Sequence, residues 1–335
     1  TPHSTTSNTR PIFTLILVLM PALDHPTPPS VSLRSFAASR ESNKLLSTPA
    51  ANMKPRTAKT SPTHPLPHHN HPQKAMIWDL HCHLNGVPGR TPDEQMARLI
   101  EVADRMHIER LIVFMGSPFS QDPDPAELRR QNDQVLQALS HWHHRAFGFV
   151  YLSPAHEQAS LEELERCVAN GPMVGIKLWV ARRCTESQID SIIHRATELE
   201  AVIYQHTWLK TTGNLPGEST PADLAALAAR HPRARLICGH TGGNWELGLR
   251  TVRPYPNISV DLGGGDPLSG VAEMAVREVG ADRVLYGSDV AGRSFASQLA
   301  KVTGALLEEP FKQAILGQNL KRLLTPMLQR KGVRI

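Results

Sequence analysis

From residue 76 onward, short apolar runs alternate with longer amphipathic segments, and this alternation repeats eight times. Apolar runs of this length indicate buried strands, and apolar residues recurring every three to four positions indicate helices. The predicted strands span 76–81, 110–115, 146–152, 173–180, 201–206, 234–240, 257–262 and 283–288. The predicted helices span 92–107, 125–141, 158–170, 186–200, 221–231, a segment after 243, 268–279, a segment from about 294, and 310–325.

Eight strand–helix units in roughly 250 residues predict an α/β fold, a (β/α)₈ TIM barrel. A doubly wound open sheet is the alternative. That fold is usually marked by a glycine-rich phosphate loop after the first strand. Here histidines occupy that position, which favours the barrel.

The first 75 residues differ in composition from the rest. They contain 12 of the 27 prolines, and 8 basic residues against 2 acidic ones, so the remainder has 28 basic and 29 acidic residues. The positive net charge therefore belongs to residues 1–75, which we predict to be disordered. The barrel domain is 76–335, and its balanced charge does not predict a nucleic-acid partner.

Within this leader, 12–23 is apolar and follows Arg10, as in the core of a secretory signal, but it is too short to span a bilayer. Because Met76 directly precedes the first predicted strand, our preferred hypothesis is that the functional protein begins near it and the leader is a start-site artefact. A true export signal, with secretion, is the alternative.

The four cysteines form no close pair in the sequence, which is typical of a reduced cytoplasmic protein. No segment after Met76 is predicted to enter a membrane.

The first predicted strand ends in His81 and His83. Residues two apart on a strand point to the same side, so both imidazoles project together. Paired neutral imidazoles suit a divalent metal such as zinc. Two histidines at a polar strand end can also occur without a metal. A metal site is therefore indicated only if the chain places further ligands near the pair.

Further polar side chains lie where other predicted strands end, at the face of a barrel that carries the chemistry. The full set is His81, His83, Lys177, His206, His240 and Asp289. Each has an ordinary structural explanation: a strand-end charge for Lys177, and a cap of the next helix for Asp289. Their joint occurrence favours an active site.

These residues lie in motifs that resemble the amidohydrolase superfamily, over 76–325. The motifs are Asp79-Leu80-His81-Cys82-His83, Gly175-Ile176-Lys177-Leu178, His206, Gly239-His240-Thr241-Gly242-Gly243 and Tyr286-Gly287-Ser288-Asp289. Within this superfamily, the sequence most resembles the amidohydrolase-related group that includes aminocarboxymuconate-semialdehyde decarboxylase.

The resemblance implies a catalytic divalent metal, most often zinc, with manganese as the alternative. It implies four metal ligands: His81, His83, His206 and Asp289. His240 would polarise a substrate carbonyl or transfer protons. Asp289 would also act as the base toward a metal-activated water.

Lys177 leaves the number of metals open. In binuclear relatives a lysine on strand 4 is carbamylated and bridges two metals. Here Trp179 replaces a histidine found in many mononuclear relatives, and a free Lys177 would offer a cation to an anionic substrate. We favour one metal, with Lys177, Trp179 and Arg293 as substrate-binding residues; an arginine near the metal suits a carboxylate.

The leading hypothesis is a metal-dependent hydrolase acting on a C–N or C–O bond of a small carboxylated substrate. The alternative is a decarboxylase using the same site. A TatD-like deoxyribonuclease ranks lower because it is expected to have a glutamate at the position of Lys177. A non-catalytic binding barrel ranks lower still. The expected partner is a small anionic molecule, and a homodimer is possible because two-fold symmetry is common.

Overall fold

The computed structural model describes residues 76–334 as a barrel of eight parallel strands. The prediction of a disordered leader over 1–75 lies outside the described residues. The strands are β1 (Trp78–Cys82), β2 (Arg110–Val113), β3 (Ala146–Leu152), β4 (Gly175–Leu178), β5 (Val202–Gln205), β6 (Arg235–Cys238), β7 (Ile258–Asp261) and β8 (Val284–Leu285).

Each strand pairs in parallel with the next one along the chain, from β1 to β8. The two end strands then meet. Leu80 N donates to Tyr286 O at 3.1 Å, and His83 N donates to Val290 O at 2.7 Å. The (β/α)₈ prediction is confirmed, and the carboxyl ends of all eight strands face one side.

The helices lie between consecutive strands and after β8. They are α1 (Pro92–Arg105), α2 (Pro125–Trp142), α3 (Glu157–Leu164), α4 (Asp190–Glu198), α5 (Pro221–Arg230), α6 (Trp245–Val252), α7 (Val271–Val279), α8 (Phe295–Thr303), α9 (Glu309–Gln313) and α10 (Asn319–Arg330). Several begin where a side-chain oxygen accepts from a backbone N–H in the first turn, which satisfies a donor with no partner inside the helix. These caps are Thr91, Asp124, Thr220, Asn244 and Ser294.

Two predicted helices are less regular than expected. The helix predicted over 158–170 is α3 followed by a π-helical turn over 165–169. The closing helix predicted over 310–325 is divided into α9, a π-helical turn over 314–318 and α10. Hydrophobic periodicity locates an apolar face but does not distinguish hydrogen-bond spacing within a helix.

The last predicted strand is also shorter than expected, because β8 comprises only two residues. The chain leaves the sheet before Asp289, which has a left-handed φ of 61°. His240, after β6, has a similar φ of 55°. The backbone at both residues departs from the strand conformation, and both side chains line the cavity.

The barrel interior is filled by large side chains, and the ring surfaces of Trp78, Phe114, Phe149, Tyr151, Tyr204 and Tyr286 are almost fully buried. Apolar burial of this kind stabilises a domain by about 25 cal/mol per Å². None of the helices in the described part of the chain combines the length and apolar character needed to cross a bilayer.

Candidate active site

A cavity of about 260 Å³ opens at the carboxyl ends of the strands. All eight of the residues singled out for the site line this cavity: His81, His83, Lys177, Trp179, His206, His240, Asp289 and Arg293. The other lining residues are Asn85, Met115, Phe119, Trp208 and Gly292. The larger cavity of about 480 Å³ lies elsewhere, lined by the end of α10 and by residues 168–172. The barrel topology favours the smaller one as the site of chemistry.

His81, His83 and Asp289 form one compact group. The Nε2 atoms of the two histidines lie 3.0 Å apart. Oδ1 of Asp289 lies 3.3 Å from Nε2 of His81 and 3.5 Å from Nε2 of His83. Their ligand atoms all fall within 4.8 Å of one another, so these three side chains could hold one metal ion.

The backbone fixes this group across the junction of the first and last strands. Asp289 N donates to His81 O at 2.8 Å. A left-handed φ is uncommon outside glycine and costs free energy, so surrounding contacts must hold it in place. The hydrogen bond to β1 supplies one such contact and places the Asp289 carboxylate beside both histidines.

Asp261, at the end of β7, supports His81 from behind. Nδ1 of His81 lies 2.9 Å from Oδ2 of Asp261, and the hydroxyl of Tyr204 donates to the same oxygen at 2.7 Å. Sequence reasoning identified neither residue. An acidic residue between the apolar Val260 and Leu262 of a predicted strand was the signal for Asp261, whereas Tyr204 looks like any core aromatic.

His206 and His240 lie together beside this group. Nδ1 of His206 is 3.1 Å from Nε2 of His240, and Nε2 of His206 is 3.0 Å from Oε1 of Glu218. Nδ1 of His240 is 3.1 Å from Gly263 O. His206 therefore reaches the cavity but lies outside the three-residue group, and sequence reasoning missed Glu218, which comes from the loop after β5.

The arrangement of donors and acceptors fits a cation. Nδ1 of His81 faces a carboxylate, which can only accept, so this nitrogen carries the hydrogen and Nε2 presents a lone pair. By the same reasoning, Nδ1 of His206 and Nε2 of His240 present lone pairs, because their other nitrogens face Glu218 and a carbonyl oxygen. The lone pairs of His81 and His206 and the Asp289 carboxylate thus face one cavity together with His83, which is the donor set that a divalent metal requires. His240 presents its own lone pair beside this set.

Burial keeps the imidazoles neutral, as metal ligation requires. It lowers the pKa of His83 and of His206 to about 4, and it lowers the pKa of His240 well below the usual value. Burial alone would raise the pKa of Asp289, but the charge of His81 and the hydrogen bond to His83 hold it well below its usual range. At neutral pH the site therefore combines the neutral rings of His83, His206 and His240 with an ionised Asp289 carboxylate.

A second group of potential ligands comprises His81, His240 and Asp261. It shares His81 with the first group. In it, Asp261 contacts the Nδ1 side of the ring at hydrogen-bond distance. We therefore assign Asp261 a supporting contact with His81.

Lys177 extends from β4 into the barrel interior with almost no exposed surface. Its Nζ lies 3.9 Å from the ring centroid of Tyr204 and 4.5 Å from that of Phe114. Burial lowers the pKa of Lys177 to about 7, although the charges of Asp289 and Asp261 oppose this shift. At the cavity floor the chain therefore offers an amine that changes charge near neutral pH.

The mouth of the cavity is largely aromatic. Trp179 packs edge-on against Phe119 with ring centroids 4.9 Å apart, and the Trp208 ring lies 4.9 Å from that of His240. Arg293 is exposed at the rim, where Nε donates to Gly265 O at 3.4 Å and Nη1 donates to Gly292 O at 2.9 Å. A planar apolar molecule with an anionic group matches these surroundings.

The comparisons with known proteins agree with this architecture. Residues 78–325 match the family model described as Amidohydrolase. None of the curated proteins matches the chain.

Several solved structures are similar to the barrel. 2,6-Dihydroxybenzoate decarboxylase from Rhizobium is 18% identical, with a TM-score of 0.62 over 76% of this chain and 99% of that one. Dihydroxybenzoic acid decarboxylase from Polaromonas sp. JS666, with bound manganese and the inhibitor 2-nitroresorcinol, is 18% identical, with a TM-score of 0.62 over 77% and 98%. 4-Oxalomesaconate hydratase from Rhodopseudomonas palustris is 17% identical, with a TM-score of 0.58 over 76% and 97%.

At these identities the structures show a shared fold. The family match covers most of the chain, includes all eight strands of the barrel and ends within α10. The chain belongs to the amidohydrolase family.

Proposed function

We propose that this protein is a metal-dependent decarboxylase that acts on a small aromatic carboxylate. One observation carries the proposal: the three-residue metal group and the buried amine of Lys177 face the same aromatic-walled cavity. The similar decarboxylase structures support it. It reverses the order of the two readings drawn from the sequence, which placed hydrolysis first.

The walls of the cavity favour loss of carbon dioxide. A carboxylate becomes neutral when it leaves as carbon dioxide, so surroundings poor in water raise the energy of the starting anion more than that of the product. Met115, Phe119, Trp179 and Trp208 supply such surroundings. Lys177 in its charged form would offset this effect during binding by attracting the anion.

The residues present fit a divalent metal, zinc or manganese, and we propose one ion per chain. His81, His83 and Asp289 would hold it, with His206 as the fourth ligand. When bound, it supplies Lewis acidity that orients substrate oxygens and draws negative charge toward them. Arg293 at the rim would orient the substrate from the opposite side.

His240 is the proposed acid–base group. Its Nδ1 hydrogen is held by Gly263 O, so Nε2 carries a lone pair that could accept a proton from a substrate hydroxyl. When the carbon–carbon bond breaks, the bonding electron pair stays on the ring carbon, and that carbon takes one proton. His240 delivers the proton it accepted to that carbon, which leaves the substrate oxygen as a phenolate until it takes one proton from water. The overall reaction thus replaces the carboxylate with hydrogen and releases carbon dioxide.

The test uses metal-loaded protein, deuterated water and a panel of hydroxylated benzoates that includes 2,6-dihydroxybenzoate. The proposal expects one carbon dioxide released and one deuterium incorporated at the vacated carbon per turnover. Consumption of a carboxylated substrate with its carboxylate retained would contradict it.

Addition of water is the second candidate, as hydrolysis or hydration. Asp289 favours it, because this ionised carboxylate is partly exposed at the cavity and could accept a proton from water. A hydratase is also among the similar structures. Labelled water separates the two candidates: oxygen-18 in the product, without carbon dioxide, would establish the second.

A further inference from the structure

Glu218 is a buried acidic residue that the proposed chemistry does not use. It lies in the loop between β5 and α5 and is only 1% exposed. Lys210 Nζ donates to both of its carboxylate oxygens at 2.8 Å, and Leu215 N donates to Oε2 at 3.1 Å. Three hydrogen bonds from its own loop thus hold the carboxylate in one orientation.

The remaining contact of this carboxylate is with His206. Oε1 of Glu218 lies 3.0 Å from Nε2 of the ring. Lys210 Nζ lies 2.8 Å from both carboxylate oxygens of Glu218, and an ammonium group in this position pairs with the ionised carboxylate. An ionised carboxylate can only accept, so Nε2 of His206 must carry the hydrogen.

This assignment determines which ring nitrogen of His206 is available to bind a ligand. A neutral imidazole has one hydrogen, so Nδ1 of His206 presents its lone pair to the cavity. Nε2 of His240, 3.1 Å away, also presents a lone pair because its Nδ1 donates to Gly263 O. Two facing lone pairs at this distance repel each other unless a cation lies near them, so a rigid support is needed to maintain the arrangement.

We propose that Glu218 is the positioning residue that holds His206 in the Nε2–H form and thereby makes Nδ1 its metal-binding nitrogen. This inference rests on the metal site of the proposed function. Carboxylates that hold the second nitrogen of a ligating histidine typically improve metal affinity by about 10–100-fold. Glu218 acts in this way through His206 and contacts neither the metal nor the substrate.

The first test observes the ring itself in the metal-free protein. Long-range proton–nitrogen NMR correlation distinguishes the two neutral forms of a histidine ring. Wild type and Glu218→Gln should both show His206 with hydrogen on Nε2, because glutamine retains an acceptor oxygen. Glu218→Leu should show a mixture or the Nδ1–H form. Wild-type protein with hydrogen on Nδ1 of His206 would overturn the proposal.

The second test measures zinc and manganese affinity by competition with a chromophoric chelator. Glu218→Leu should weaken affinity by about 10–100-fold, and Glu218→Gln should weaken it less. Glu163→Leu is the matched control, because Glu163 is also buried and hydrogen-bonded to Arg166 but lies on α3, outside the cavity. Equal affinity in Glu218→Leu and wild type would contradict the proposal.

A third variant covers the case in which Glu218→Leu does not fold. Lys210→Met removes the cation that holds Glu218 while the carboxylate remains, and it should weaken metal affinity less than tenfold with an intact Nε2–H form. Loss of the Nε2–H form in Glu218→Gln, with its acceptor retained, would also count against the proposal. Neither measurement uses turnover, so failure to find decarboxylation would leave these outcomes interpretable.

Discussion

Asp261 accepts a hydrogen bond from Nδ1 of His81 over 2.9 Å and so joins the end of β7 to the end of β1, the two strands on either side of β8. Burial alone would raise the pKa of Asp261, but the hydrogen bond from His81 and the nearby charges lower it to about 2. The carboxylate is therefore ionised and fixes His81 with Nε2 toward His83 and Asp289.

We expect Asp261→Leu to weaken zinc affinity by about 10–100-fold, because His81 loses the acceptor that orients its ring. Tyr204→Phe removes only the hydroxyl that donates to Asp261, so we expect a smaller loss. Chelator competition on both variants measures the effect. Unchanged affinity in Asp261→Leu would show that β1 alone orients His81.

Substitutions of Asp289 and His240 should differ in their effects on metal content and on kcat. Asp289→Asn should lower both metal content and kcat, because the residue belongs to the ligand group. His240→Asn should leave metal content near wild type and lower kcat by about 100-fold or more, the usual contribution of a positioned proton donor or acceptor. Elemental analysis with steady-state kinetics tests both. Full activity in Asp289→Asn would remove it from the proposed machinery.

The stability of the metal-free protein should depend on the protonation of Lys177. Its pKa is about 7 in the folded state, below the value of an exposed lysine, because of burial. Between these two values the unfolded chain binds more protons, so the free energy of unfolding rises with pH by up to about 1.4 kcal/mol per unit.

Wild type should therefore gain about 2–3 kcal/mol relative to Lys177→Met between pH 6 and pH 9. Urea unfolding of both proteins at each pH measures this difference. Lys321→Met, on α10 outside the cavity, serves as the control substitution. A difference between wild type and Lys177→Met that is the same at both pH values would contradict the low pKa.

Gly264 packs directly against His240 with a φ of 74°. A Cβ at this position would overlap Nδ1 of His240 and approach Oδ2 of Asp289 within 3.0 Å. Gly264→Ala should thus lower stability by about 1 kcal/mol or more and reduce kcat through displacement of His240. Gly265→Ala is the control, since its φ is also positive but its Cβ would meet open space. Equal kcat in the two variants would contradict this role.

The regular part of the barrel was predictable because local patterns determine it. Apolar runs and amphipathic segments located all eight strands and every helix of the described range within a few residues. The limits were local too: β8 contains two residues instead of the predicted six, although the chain after it still bonds to β1 through Tyr286 O and Asp289 N. The apolar pattern of a strand indicates which residues are buried, but it does not indicate where the backbone hydrogen bonds to the neighbouring strands end.

Parallel strands bring their carboxyl ends to one face, so the polar residues at those ends could be assigned to a single site from the sequence alone. The sequence by itself thus determined the barrel and the histidine-rich cavity. Only the tertiary structure decided how the rings are oriented, because Asp261 is 180 positions from His81 and Glu218 reaches His206 through a loop without periodic pattern. Contacts between distant segments depend on how the whole barrel closes, and no local pattern encodes them.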